Sequence, residues 1–243
     1  MPQQVVGWFL PGTLEARAIW FDPVRYTWQA DGKSNSNLFL RCPAHQNFSR
    51  NLYVIRCPFD LHLKCQISGD GCELSVGEES SIKPEKLANL IKVHPFNEWR
   101  EFDKPLIQLM LNYYFLSDDD LDIQYLSPLT THFFQPALPG LVLQGRWSIK
   151  DWIRPINFVF EWWDTSTDLI IKRGQPILNV MFISKDIDAK TELIEAEETD
   201  EVIAMARSTQ NINSYIKNVF SVLPSIIKRR PRRIVKPCKK NLR

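Results

Sequence analysis

The tightest constraint on this chain is its punctuation. Short runs rich in aromatic and β-branched residues recur along most of its length, each closed by Pro, Gly, Asp or Asn, the usual grammar of strands and turns. The runs are Val5 to Leu10, Ala18 to Phe21, Tyr26 to Gln29, Leu38 to Arg41, Leu52 to Cys57 and Leu61 to Ile67. Gly69-Asp70-Gly71 reads as a tight hairpin turn joining Leu61–Ser68 to Cys72–Val76. Pro84 opens a short helix through Leu87, Leu90 and Ile91. Leu106 to Leu116, the acidic turn Ser117-Asp118-Asp119-Asp120 and Leu121 to Leu126 predict a β-hairpin. Phe133 to Phe134, Gly140 to Trp147, Asn157 to Trp163, Asp168 to Lys172 and Pro176 to Ile183 continue the pattern. So many short strands with little helix predict a mainly β domain over residues 1–185, a barrel or a double-sheet jelly-roll-like fold.

After Ser184 the periodicity changes. Glu192 to Arg207 and Asn211 to Leu223 predict two short helices, the second ended by Pro224, forming a helical extension over 186–224 that packs on the β domain. Residues 225–243 are then expected to be a flexible basic tail. With 44% hydrophobic residues and only 9 Gly among 243, disordered and collagen-like classes are excluded. No run approaches the roughly 18 apolar residues of a membrane-spanning helix, so no membrane partner is expected.

A formal net charge of +2 conceals two unlike parts. Lys228 to Arg243 holds nine basic and no acidic residues; the remaining 21 basic and 28 acidic residues leave a body of −7 under a tail of +9. Such a tail contacts a polyanion, remains solvated, or straps over an acidic neighbour. Lys228, Arg229, Arg230, Arg232, Arg233, Lys236, Lys239 and Lys240 are its candidate contacts with an anionic partner, a nucleic acid or an acidic protein surface. The acidic body argues against nucleic acid wrapping the folded domain itself.

The chain carries five Cys, at 42, 57, 65, 72 and 238, and the segment Met1-Pro2-Gln3-Gln4 has no charged and apolar leader pattern, so a reducing cytosol is expected. The Cys and His spacings contain no classical zinc pattern. A non-haem metal site would need two His and a carboxylate brought together from distant strands. His94, His132 and Asp164 are the candidates, with Glu98 beside His94, against the alternative that both His serve in capping or packing. The two Arg-Cys-Pro triplets, ending at Pro43 and Pro58, place Arg beside a thiol, but the β context favours buried structural thiols. No nucleophile elbow, phosphate-cradling Gly loop or dinucleotide fingerprint is present. Trp147, Trp152, Trp162 and Trp163 cluster in sequence around Arg146 and Arg154. Alternation puts Phe158, Phe160 and Trp162 on one strand face, as core. Trp152, Arg154 and Trp163 stand as a candidate ligand pocket.

The blocks Arg41-Cys42-Pro43-Ala44, Tyr53 to Asp60, Trp152 to Phe158 and Lys172-Arg173-Gly174-Gln175-Pro176-Ile177 carry a family resemblance. Over scattered parts of 38–183 the chain resembles an uncharacterised family of small proteins, a domain of unknown function, found in marine bacteriophages and some bacteria. Its last block also looks like the closing hairpins of cupin-type and nucleotide-hydrolase-type β-barrels, without the metal motif of the former or the acidic Gly-Tyr-Gly block of the latter. The resemblance implies a viral origin and a compact β fold, and transfers no catalytic residue. The expectation is a non-enzymatic viral accessory or assembly protein, in the host cytoplasm or the virion. Its β body would bind a protein partner or a second copy, and its tail an anionic partner. The alternatives are a small non-haem metal-dependent enzyme with a barrel pocket, and a virion structural protein.

Overall fold

The computed structural model describes residues 3–27, 42–69, 71–128, 138–186, 188–209, 212–218, 221–222, 225, 228 and 230–238. Its spine is the strand Leu106–Leu116, in which Ile107, Leu109, Leu111, Tyr113 and Phe115 are buried and every residue between them is more exposed. That is the period of two that a half-buried strand requires. In chain order the strands are β1 (Gln3–Phe9), β2 (Val24–Arg25), β3 (Leu52–Arg56), β4 (Leu61–Ser68), β5 (Gly71–Val76), β6 (Ile91–Val93), β7 (Leu106–Leu116) and β8 (Leu121–Leu126). β9 (Gly140–Val142), β10 (Gly145–Ser148), β11 (Pro155–Trp162), β12 (Leu169–Ile171), β13 (Pro176–Ser184) and β14 (Lys190–Glu195) follow.

The first sheet runs β14-β1-β7-β11-β9, with β6 also on β7; the second runs β10-β8-β13-β3-β2; the third is β12-β4-β5. The chain is mainly β, and its curled sheets form a half-barrel. One core joins all three sheets: Trp8 and Tyr113 from the first, Tyr53 and Phe182 from the second, Leu61, Leu63 and Leu169 from the third. Phe182 meets Phe115 across the sheets with ring centroids 5.5 Å apart. Phe158, Phe160 and Trp162 lie in this core as their alternation predicts. Among the described residues no helix is long and apolar enough to cross a membrane.

Several expectations are corrected. β7 and β8 form no hairpin, because each is already flanked on both sides, β7 by β1 and β11 and β8 by β10 and β13. Ser117 to Asp120 instead carries the chain from one sheet to the other, held to β1 where Ser117 Oγ donates to Val5 O at 2.7 Å. Ala18 to Phe21 is not a strand; a 3-10 turn spans Arg17–Ile19 after Ala16 at φ 52°. Pro43–Ser49 is a helix, α1, opened by Pro at its first position. The predicted helix at Pro84 appears as a 3-10 turn, Pro84–Lys86, followed by α2 (Leu87–Leu90).

The largest correction concerns Glu192 to Arg207. Its first part is β14, which runs parallel to β1 with Val5 opposite Glu192 and Gly7 opposite Ile194. Helix-favouring Glu and Leu yield to sheet pairing, since Thr191 is buried and Leu193 packs on the core while Lys190 and Glu192 face out. Residues 190–195 therefore belong to the β body rather than to the helical extension. The helix α3 begins at Asp200 and ends at Thr209, burying Val202, Met205, Ala206 and Thr209 at helical spacing. With Phe9, Leu116, Ile153 and Ile234 these form a second, smaller core. Of the second predicted helix, α4 (Ile212–Tyr215) is present. Leu38 to Arg41 and Phe133 to Phe134 lie outside the described residues.

Candidate functional site

Over 230–238 the basic segment is docked on the body. Ile234 is fully buried in the smaller core, and Pro237 makes an antiparallel bridge to Ala196. Glu197 N donates to Lys236 O at 2.8 Å and Cys238 N to Glu195 O at 2.9 Å. The anchor is Asp118, in the crossing turn. Its Oδ1 accepts from Arg230 Nη2 and from Ile234 N, both at 2.9 Å, and its Oδ2 accepts from Val235 N at 3.2 Å. Arg230 also donates to Ser117 O at 2.7 Å, and its side chain is only 5% exposed. So one predicted anionic-partner residue already has its anion inside the chain. Lys236 is 3.5 Å from Glu201. Lys228, Arg232 and Arg233 are exposed on the outer side of this strap. Arg229, Lys239 and Lys240 lie outside the described residues.

The predicted ligand pocket separates. Trp152 and Arg154 meet: the Arg154 guanidinium carbon is 4.8 Å from the Trp152 ring centroid and 5.4 Å from that of Trp147. Tyr125 packs edge-on against Trp147 at 5.5 Å. Trp163 lies at the far end of β11, about 25–30 Å along the strand at ~3.3 Å per residue. There its Nε1 donates to Glu161 Oε1 at 2.5 Å. Glu161 also accepts from Arg100 through Nε at 2.6 Å and Nη2 at 2.5 Å, a bidentate clamp.

Glu161 supplies a pH prediction. Arg100 holds its carboxyl below the ordinary value, against an upward push from burial. A group with a depressed folded pKa stabilises the fold above its unfolded pKa and loses that contribution as pH falls through the folded value. In Arg100→Ala the largest downward pull is lost and only those of Trp163 and Lys104 remain against burial, so chemical denaturation at pH 6 and pH 3 is expected to show a smaller acid-induced loss of stability than in the wild type. An equal or larger loss in the variant would contradict this account.

The metal-site candidates have local partners. His94 Nδ1 is 2.6 Å from Glu98 Oε2 and its Nε2 is 3.2 Å from Gln108 Oε1. Asp164 closes its own turn, accepting from Ser166 Oγ at 2.5 Å and Thr167 Oγ1 at 2.6 Å. Those hydrogen bonds hold its carboxyl below the ordinary value. His132 lies outside the described residues. Among the described residues no three His, Cys, Asp or Glu side chains converge as a metal site. Cys57 is buried, donates to Phe59 O at 3.1 Å and is pushed up to about 12 by burial, which fits a structural thiol.

Sequence reasoning missed three features. His62, 8% exposed, accepts from Glu79 N at Nδ1 and donates from Nε2 to Asp168 at 2.7 Å, tying the loop after β5 to the third sheet. A single buried His on a strand carries no spacing signal. Asp118 was legible only as a turn residue. The third feature is a seam. Asn51 Nδ2 donates to Ala189 O at 3.1 Å, and Asn51 Oδ1 accepts from Thr191 N at 3.0 Å. Tyr53 Oη and Arg25 Nη2 both donate to Thr191 O, at 3.1 and 2.9 Å. Arg25 and Tyr53 of the second sheet, with Asn51 just before β3, thus satisfy the outer backbone groups of Ala189 and Thr191, beside a cavity of about 520 Å³ lined by Gln3, Arg25, Tyr53, Lys190 and Glu192.

No protein-family model matches the chain, and comparison with curated proteins and with solved structures found no match.

Proposed function

We propose that this is a non-enzymatic binding protein, acting as a viral accessory or assembly protein, whose C-terminal strap contacts an anionic partner while its β body binds a protein partner or a second copy. The anionic partner is nucleic acid. The observation that supports this is the strap's fixed geometry: Asp118 and the smaller core hold the segment down, and Lys228, Arg232 and Arg233 face outward with no acidic partner among the described residues. A docked cationic strip makes phosphate contacts without first ordering a loose chain, so less entropy opposes binding. Phosphate contacts carry no sequence information, so the contact is expected to be indifferent to sequence.

The test is a salt titration of binding to labelled single- and double-stranded oligonucleotides, with an acidic polypeptide as a competing probe. Arg232→Ala with Arg233→Ala removes two cations, so the slope of log K against log salt is expected to shrink by about 1.4 for single strands and about 1.8 for duplex. An unchanged slope, or a wild-type protein that binds the acidic polypeptide as well as it binds nucleic acid, would overturn the assignment.

A further inference from the structure

Arg154 is unusual among the cations of this fold. Its guanidinium is half-buried and lies against two indole rings, Trp147 and Trp152, and none of its N–H donors meets an acceptor among the described residues. Burial pulls its pKa down, the sign of a charge carried without a counter-ion. The neighbouring Tyr125 hydroxyl likewise has no acceptor among the described residues, and the positive charge of Arg154 opposes the burial that raises its pKa. None of the Arg154 nitrogens is among the buried polar atoms left without a partner, so its unpaired donors reach solvent and stay open to an incoming acceptor. A guanidinium flanked by rings keeps its in-plane edge as a fixed fork, and that fork matches two oxygens of one oxyanion.

The fork and the strap share a support. Ile153, the residue before Arg154, shares the smaller core with Ile234 of the strap, and its carbonyl accepts from Thr209 Oγ1 at 3.0 Å. The fork and the outward cations of the strap are thus anchored to the same small core.

We infer that Arg154, with the Tyr125 hydroxyl beside it and Trp147 and Trp152 as walls, is a phosphate-binding site that grips one backbone phosphate of the strand the strap attracts. The identity of the larger ligand rests on the proposed nucleic-acid reading; the capture of a phosphate group does not.

The experiment uses the full chain and two probes. Inorganic phosphate is titrated against chloride at matched ionic strength, read by tryptophan fluorescence and calorimetry, and an oligothymidylate is titrated in parallel. Arg154→Lys keeps the charge and loses the fork, and is expected to weaken phosphate binding about tenfold or more. Tyr125→Phe is expected to weaken it about threefold, which keeps the idea testable if the first variant loses its near-ultraviolet dichroism. The strap variant Arg232→Ala with Arg233→Ala is expected to bind inorganic phosphate as the wild type does. Arg154-dependent phosphate binding without oligonucleotide binding would uphold this site while removing the proposed nucleic-acid role. No phosphate binding by the wild type, or equal binding by Arg154→Lys and Tyr125→Phe, would overturn it.

Discussion

Asp118→Ala is expected to lower the unfolding free energy by about 3 kcal/mol, because it strands the Arg230 guanidinium without its counter-ion and leaves two backbone N–H groups without acceptors. The figure sits at the low end for a broken buried ion pair, since Asp118 itself is 26% exposed while Arg230 is 5% exposed. For a chain of this length that corresponds to a fall in Tm of roughly 6–12 °C. The local consequence is larger. If the loss falls on strap docking, opening of the segment rises roughly a hundredfold. Trypsin should then cut after Arg232 and Arg233 in the variant under conditions that leave the wild type intact. Asp118→Asn retains an acceptor and is expected to fall between the two. Equal cleavage of wild type and Asp118→Ala would show that the carboxylate does not hold the strap.

Gly140→Ala is the second large effect, expected at about 3 kcal/mol. Gly140 opens β9 opposite Trp162, and a methyl group there would run into the Glu161 carbonyl oxygen and come within 2.8 Å of the Phe160 ring. Neither can move freely: the Glu161 backbone, next to the end of β11, is paired on both sides, with Leu106 and Leu141, and Phe160 is fully buried. Gly69→Ala is the matching control. It lies at φ 55° with nothing within 4 Å of the added atom, so its cost is conformational only, about 1 kcal/mol. Denaturant melts of the two variants side by side separate crowding from backbone strain; equal losses would remove the argument from close approach.

What the sequence made legible was local. β7 and β11 carry their period of two in plain view, β13 reads as a short apolar run between turns, and Trp152 and Arg154 meet because they are near neighbours in the chain. Partner choice was not legible. The apolar runs around Ser117 to Asp120 read as a hairpin, since nothing local records that both strands are already flanked by others. β14 was hidden by Glu and Leu, good helix formers whose strand conformation is imposed by β1 at the other end of the chain. Trp163 was grouped with Trp152 by proximity in sequence, yet an intervening extended strand carries it to the opposite end. The Asp118 anchor lay furthest out of reach, because its three partners, Arg230, Ile234 and Val235, stand 112 to 117 residues away.

The seam at β14 ties shape to colloidal behaviour. A sheet that stops at an edge offers its row of N–H and C=O groups to any passing strand, and that offer is how orderly polymers of folded chains begin. Here Asn51, Tyr53 and Arg25 occupy the acceptors and donors of Ala189 and Thr191 that a neighbouring copy would otherwise seek. Three side chains stand where one end of a neighbouring strand would pair. The contacts that join one sheet to the other are therefore the same contacts that close the Ala189–Thr191 stretch of this edge to a passing strand.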